Sequence, residues 1–218
     1  MVEQKSEQRK LSLPLYLGAF VVTVLIFMIG IYVGNYISEN AKQTMSSDIE
    51  SISSKLSGTQ LLFLLDNSSA FCPVYMDELS KLDGDTEIIG QKLAFLEDKY
   101  GTVNEKLKLQ YFVLETEAYL LSKKVNEKCE DDSVLVLYFY SNKDCKDCKQ
   151  QGESLLAAKN SAKKNVKIYS FDGELNSPVV TALKIRHSIS TYPSVVVDDA
   201  LYLGFQSKEQ LLVSVNRE

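Results

Sequence analysis

Two of the four cysteines stand as Cys145-Lys146-Asp147-Cys148, directly after an apolar run and directly before a segment that reads as helix. A helix N-terminus presents unpaired backbone N–H groups and about half a positive charge, which favours a thiolate over a thiol. Cys145 is therefore expected to be the attacking sulfur. Cys148, one turn further in, resolves the mixed disulfide, so the pair cycles between dithiol and disulfide without a cofactor. Lys143, Lys146 and Lys149 favour the thiolate while Asp144 and Asp147 oppose it, which leaves the sign of the local field open.

The other two cysteines are solitary. Cys72 opens a predicted helix just before Pro73, a residue suited to a first turn, and Cys129 follows the last residue of another predicted helix. They form a candidate structural disulfide closing a loop of about 57 residues, with two unpaired buried thiols as the alternative. A single metal held by Cys72, Cys129, Cys145 and Cys148 lacks the paired spacing of a zinc module. One histidine in 218 residues excludes any site that needs several imidazoles, so no metal is expected.

The elements that must position these sulfurs follow from composition. With 45% apolar and 24% charged residues the chain can fill a core, which excludes wholesale disorder. Without residues 1-38 there remain 21 basic against 27 acidic groups, so no basic footprint for nucleic acid exists.

From Leu11 to Ser38 there are 28 residues without a charge, and Leu13 to Val33 is almost wholly apolar. At ~1.5 Å per residue this crosses a ~30 Å hydrocarbon layer. A cleavable signal would have an apolar stretch of only ~7 to 15 residues and a small-x-small site, and neither fits. The reading is an uncleaved single-pass anchor with membrane contact over residues 13-37. Lys5, Arg9 and Lys10 precede the span while only Lys42 follows closely, which places the N-terminus in the cytoplasm. All four cysteines then lie outside the cytoplasmic membrane, where disulfides persist.

Residues 39-131 show apolar spacing near i, i+3, i+4 and i+7 and no strand alternation. The predicted helices are Met45 to Leu65, Cys72 to Leu82, Thr86 to Tyr100 and Val103 to Lys128, broken at Asn67-Ser68-Ser69, Asp83-Gly84-Asp85 and Gly101. They read as a helical bundle or spacer with its own core and no catalytic constellation.

At Ser133 the pattern changes. Val134 to Tyr140 is a continuous apolar, β-prone run, the mark of a strand buried on both faces, which puts a domain boundary at Asp131-Asp132. Predicted elements follow in the order Gln150 to Ala162 (helix), Val166 to Phe171 (strand), Ser177 to Ile185 (helix), Ser194 to Val197 (strand), Ala200 to Phe205 (strand) and Lys208 to Val215 (helix). The first three strands are expected to be parallel, and the short Asp198-Asp199 turn requires the last two to be antiparallel.

Over residues 132-218 the sequence resembles the thioredoxin superfamily. Three features coincide: Cys145-x-x-Cys148 after the first core strand, Pro193 just before the strand Ser194 to Val197, and a terminal hairpin followed by a helix. The implied fold is an α/β thioredoxin-like domain, preceded here by the helical segment 39-131 and the anchor 1-38. The resemblance also implies a cis bond at Pro193 and a groove in which the Tyr192 backbone pairs with an extended substrate chain. The sequence departs from the family at Asp144, where many thioredoxins carry Trp, at the inner pair Lys146-Asp147, and in a first strand without a buried carboxylate. His187 reads as a solvent-facing side chain, with a proton relay as the alternative.

The expected activity is thiol–disulfide exchange with protein thiols or disulfides, as oxidant, isomerase or reductant, with a further redox partner recharging Cys145/Cys148. The reading from a different class is a non-catalytic thioredoxin-like binding or scaffold domain with a static disulfide.

Overall fold

The computed structural model describes residues 13–65, 69–100 and 105–217. Lys5, Arg9 and Lys10, the break at Asn67-Ser68, and Gly101 and Val103 lie outside the described residues. The chain divides into two compact units, Met1–Thr44 and Met45–Glu218.

In the first unit the described residues are helical and belong to α1 (Leu13–Leu65). This helix is long and apolar enough to cross a membrane, and none of its most apolar 18-residue window is buried. Thr23 donates its hydroxyl to the Ala19 carbonyl at 2.9 Å, so this hydroxyl is satisfied within the helix.

In the second unit α1 buries Met45, Ile49, Ile52, Leu56 and Thr59, a stripe spaced by three and four. A 3-10 turn (Ser69–Phe71) leads into α2 (Cys72–Tyr100), which is followed by α3 (Glu105–Cys129). The break expected at Asp83-Gly84-Asp85 is absent, because α2 runs straight through it. Asp83 pairs with Lys167 at 2.9 Å and Asp85 with Lys55 at 3.2 Å, so the two carboxylates serve tertiary ion pairs and do not cap helices.

The remaining elements are β1 (Val134–Tyr140), α4 (Cys148–Lys159), β2 (Val166–Asp172), α5 (Pro178–Arg186), β3 (Ser194–Val197), β4 (Ala200–Leu203) and α6 (Lys208–Val215). They build one four-stranded mixed sheet in the order β2-β1-β3-β4. β1 and β2 are parallel, from Val134↔Val166 to Tyr140↔Asp172. The expectation that β3 is also parallel is wrong, since Phe139 pairs with Ser194 and Val136 with Val197 in antiparallel register. The reason is the path after α5. His187 lies by Asp199, at the end of the sheet holding the β3–β4 turn, and residues 188–193 lead back to the opposite end, from which β3 descends. In that turn Asp198 and Asp199 take φ of 45° and 71°, the pair of positive values a two-residue hairpin requires.

α4 and α6 cover one face of the sheet, where Val136, Tyr138, Val195 and Val197 meet Leu155, Ala158, Leu211 and Val215. The other face, with Leu135, Leu137, Phe139, Tyr169 and Phe171, joins the buried residues of α1, α2, α3 and α5 in one cluster. Phe112 of α3 packs on Phe171 at 5.7 Å, and Tyr169 bonds Ser122 at 2.9 Å. The helical segment therefore has no core separate from that of the sheet. Lys167 on the edge strand β2 turns to Asp83, an inward charge that also discourages strand pairing at this edge.

Glu115 of α3 lies in this interface, 3% exposed, with one carboxylate oxygen accepting the Tyr111 hydroxyl and the other without a partner among the described residues. Burial raises its pKa to about 8, with Asp83 adding to the effect and Tyr111, the Ser170 backbone and Lys159 opposing it. The folded state thus favours the neutral acid. Its contribution to stability is full below about pH 4.5 and is lost as pH rises to about 8. Glu115→Gln should raise unfolding stability at pH 8 by on the order of a few kcal/mol and change little at pH 4.5. Denaturant titrations at the two pH values check this, and an equal effect at both would contradict the assignment.

Candidate active site

The site is built where β1 ends and α4 begins. Tyr140 closes β1, residues 141–147 form a loop, and Cys148 is the first residue of α4, so the helix starts two residues earlier than expected. Cys145 consequently stands in the loop, three residues ahead of the helix and outside its first turn. The N-cap residue Asp147 makes no side-chain cap, while its carbonyl accepts the Gln151 N–H at 2.8 Å. The N-terminal end of α4 points its dipole at the loop and gives the loop end a positive potential.

Cys145 and Cys148 are joined as a disulfide, with a Cα–Cα distance of 5.4 Å. Cys145 is partly exposed, whereas Cys148 is 6% exposed. Only Cys145 is open to a bulky partner. The Ser141 N–H points at the Cys148 sulfur at 3.5 Å, a backbone donor for negative charge there once the pair is reduced. Tyr138 donates its hydroxyl to the Cys148 carbonyl, fixing the helix start from the sheet.

The Tyr192-Pro193 peptide bond is cis, and Pro193 is buried. The register Phe139↔Ser194 sets Pro193, just before β3, at the same end of the sheet as Tyr140. Two further links hold the loops at this end together. Gly204 donates its N–H to the Pro193 carbonyl at 2.9 Å. Gln151, fully buried one turn after Cys148, accepts the Gln206 N–H at 2.6 Å and donates to the Gln206 carbonyl at 3.2 Å. Pro193 is thereby tied through the β4–α6 loop to the helix that carries Cys148.

Sequence reasoning missed Gly173. Its N–H bonds the Tyr140 carbonyl at 2.8 Å, and a Cβ built on it would lie 2.2 to 2.3 Å from the Tyr192 ring. Lys184 completes the contact, with its ammonium 2.7 Å from the Gly173 carbonyl and 5.3 Å from the Tyr192 ring centroid. Gly173→Ala should expel the Tyr192 ring and cost about 1 to 3 kcal/mol of stability. Denaturant titration checks this, and an unchanged stability would contradict the contact. No local signal marks Gly173, because its constraint is a ring 19 positions away.

Cys72 and Cys129 form the second disulfide, with a Cα–Cα distance of 5.5 Å, linking the start of α2 to the end of α3. Asn126 near the end of α3 donates to the Ser133 carbonyl at 2.6 Å, which places this bridge by the start of β1. The two sulfur pairs are thus served by opposite ends of a seven-residue strand, about 20 Å apart along it. The four cysteines do not converge on one metal. His187 is not the solvent-facing residue expected. It is 9% exposed, its Nε2 has no partner among the described residues, and burial lowers its pKa. It lies at the far end of the sheet from Pro193, so it does not relay protons for Cys145.

No family model and no curated protein matches the chain. Among solved structures, a malarial protein is 22% identical, covers 38% of this chain and 93% of its own length, and has a TM-score of 0.33. Chloroplastic thioredoxin z is 18% identical, covers 43% of this chain and 85% of its own length, and has a TM-score of 0.34. Both likenesses are partial, and the functional reading rests on the geometry of the site itself.

Proposed function

We propose that the chain is a membrane-anchored thiol–disulfide oxidoreductase with a thioredoxin-like catalytic region, acting on protein thiols and disulfides outside the cytoplasmic membrane through Cys145 and Cys148. The observation that carries the reading is the asymmetry of the pair: a reachable Cys145, a shielded Cys148, and a cis Pro193 loop at the same end of the sheet. In the reducing direction the Cys145 thiolate attacks a substrate disulfide, forms a bond to one substrate sulfur and releases the other as a thiolate. The Cys148 thiolate then attacks the Cys145 sulfur, closes the internal disulfide and releases the second substrate sulfur. Two electrons pass to the substrate, and the reverse sequence oxidises a dithiol. A separate thiol or disulfide partner restores the pair. Tyr192 and Pro193 shape the groove, and Cys72–Cys129 serves as a static bridge.

The apolar part of α1 is the anchor, with the N-terminus cytoplasmic and Met45–Glu218 outside. A membrane-impermeant protease applied to cells with any outer envelope opened should digest residues after Ser38 and spare the tail, and protection of the C-terminal part would overturn this placement. The activity is tested with the full chain in detergent. It should accelerate exchange with a model protein disulfide, and a rate equal to background would return the chain to the class of binding modules.

A further inference from the structure

A buried charge cluster at the ends of β1 and β2 has no role in the exchange chemistry above. Lys108, in the first turn of α3, is 5% exposed, and its ammonium lies 2.5 Å from a Glu97 oxygen and 2.6 Å from Asp172. It also lies 5.4 Å from the Tyr140 ring centroid and 5.9 Å from that of Phe112. Asp172 is buried, and its other oxygen accepts the Glu174 N–H at 3.0 Å. Taking Lys108 and Asp172 out of water, and Glu97 partly so, costs more than such a cluster reliably returns, so stability alone is a poor reason for it.

Its place in the fold supplies another reason. Tyr140 immediately precedes Ser141, whose N–H reaches the Cys148 sulfur at 3.5 Å. Asp172 immediately precedes Gly173, which bonds the Tyr140 carbonyl and makes room for Tyr192. The cation thus grips the last residue of each strand from which the two walls of the cysteine site depart. It also balances two carboxylates whose negative charge opposes a thiolate at the adjoining loop.

We propose that Lys108 is a positioning residue for the cysteine pair: from the helical segment it holds the ends of β1 and β2 and offsets the charge of Asp172 and Glu97, which favours the reduced, thiolate-bearing form. This inference rests on the oxidoreductase reading. The helical segment is then part of the redox site and more than a spacer.

The test is the equilibrium of Cys145/Cys148 with glutathione buffers, measured on the full chain in detergent by alkylation and mass shift. Lys108→Met leaves two carboxylates uncompensated, so the equilibrium should move toward the disulfide by about tenfold, or about 30 mV more negative. Asp172→Asn removes one of those carboxylates and should move it in the opposite direction, while Lys108→Arg should stay within about twofold of wild type. Opposite shifts for the two neutralising variants are the result a merely structural role does not produce. Should Lys108→Met fail to fold, Asp172→Asn decides alone, and an unchanged or more negative potential there overturns the proposal. If the wild-type pair itself does not equilibrate with glutathione, the oxidoreductase reading fails. If it does and the variants match it, only the role of Lys108 fails.

Discussion

Replacing Cys148 with serine should turn the site into a trap. Cys145 remains able to attack, but the sulfur that would release the substrate is gone, so mixed disulfides with client proteins accumulate and appear on a non-reducing gel. Cys145→Ser should abolish exchange to background and trap nothing, because Cys148 is 6% exposed and out of reach of a protein partner. The two variants therefore differ in kind, although each removes one sulfur of the same disulfide. A static disulfide predicts no adducts with either, and a pair of equivalent cysteines predicts adducts with both.

The second large effect is on stability. Cys72→Ser opens a bridge that closes 57 residues of sequence and should cost about 4 kcal/mol on the loop-entropy model. Because α3 packs directly on the sheet through Phe112–Phe171 and Tyr119–Tyr169, the loss reaches the sheet as well. Thermal unfolding of Met45–Glu218 within the full chain should stay a single transition and move down by about 8 to 16 °C. Two transitions, with the sheet melting where it does in the wild type, would show independent cores and contradict the shared cluster.

What was readable from sequence is what local chemistry encodes. The run Val134 to Tyr140 reads as a strand because each of its residues is apolar. It is one, with its first six residues buried and Tyr140 half-buried at its end. The cysteine spacing and Pro193 are likewise visible as letters, and the structure sets them at one end of the sheet. Unreadable features depend on partners distant along the chain. Lys108 and Asp172 are 64 positions apart, and either alone passes for a surface charge. Asp83-Gly84-Asp85 has the composition of a helix break, yet α2 runs through it, with the two carboxylates in ion pairs to Lys167 and Lys55. The direction of β3 is hidden because residues 188–193 form no regular element whose period could reveal that they recross the sheet. The change of pattern at Ser133 suggests separate cores, but a change of secondary structure does not mark a change of core when a helix stripe and a sheet face pack on each other.

Whether Cys145 and Cys148 form a redox couple is decided most directly by their equilibrium with glutathione in the unmodified full chain. A redox couple gives a reversible two-electron transition that depends on both cysteines, in the range of about -270 to -120 mV spanned by reductants and oxidants of this kind. A disulfide that stays intact across that range, while the protein remains folded, would contradict it and leave the pair as a second structural bridge.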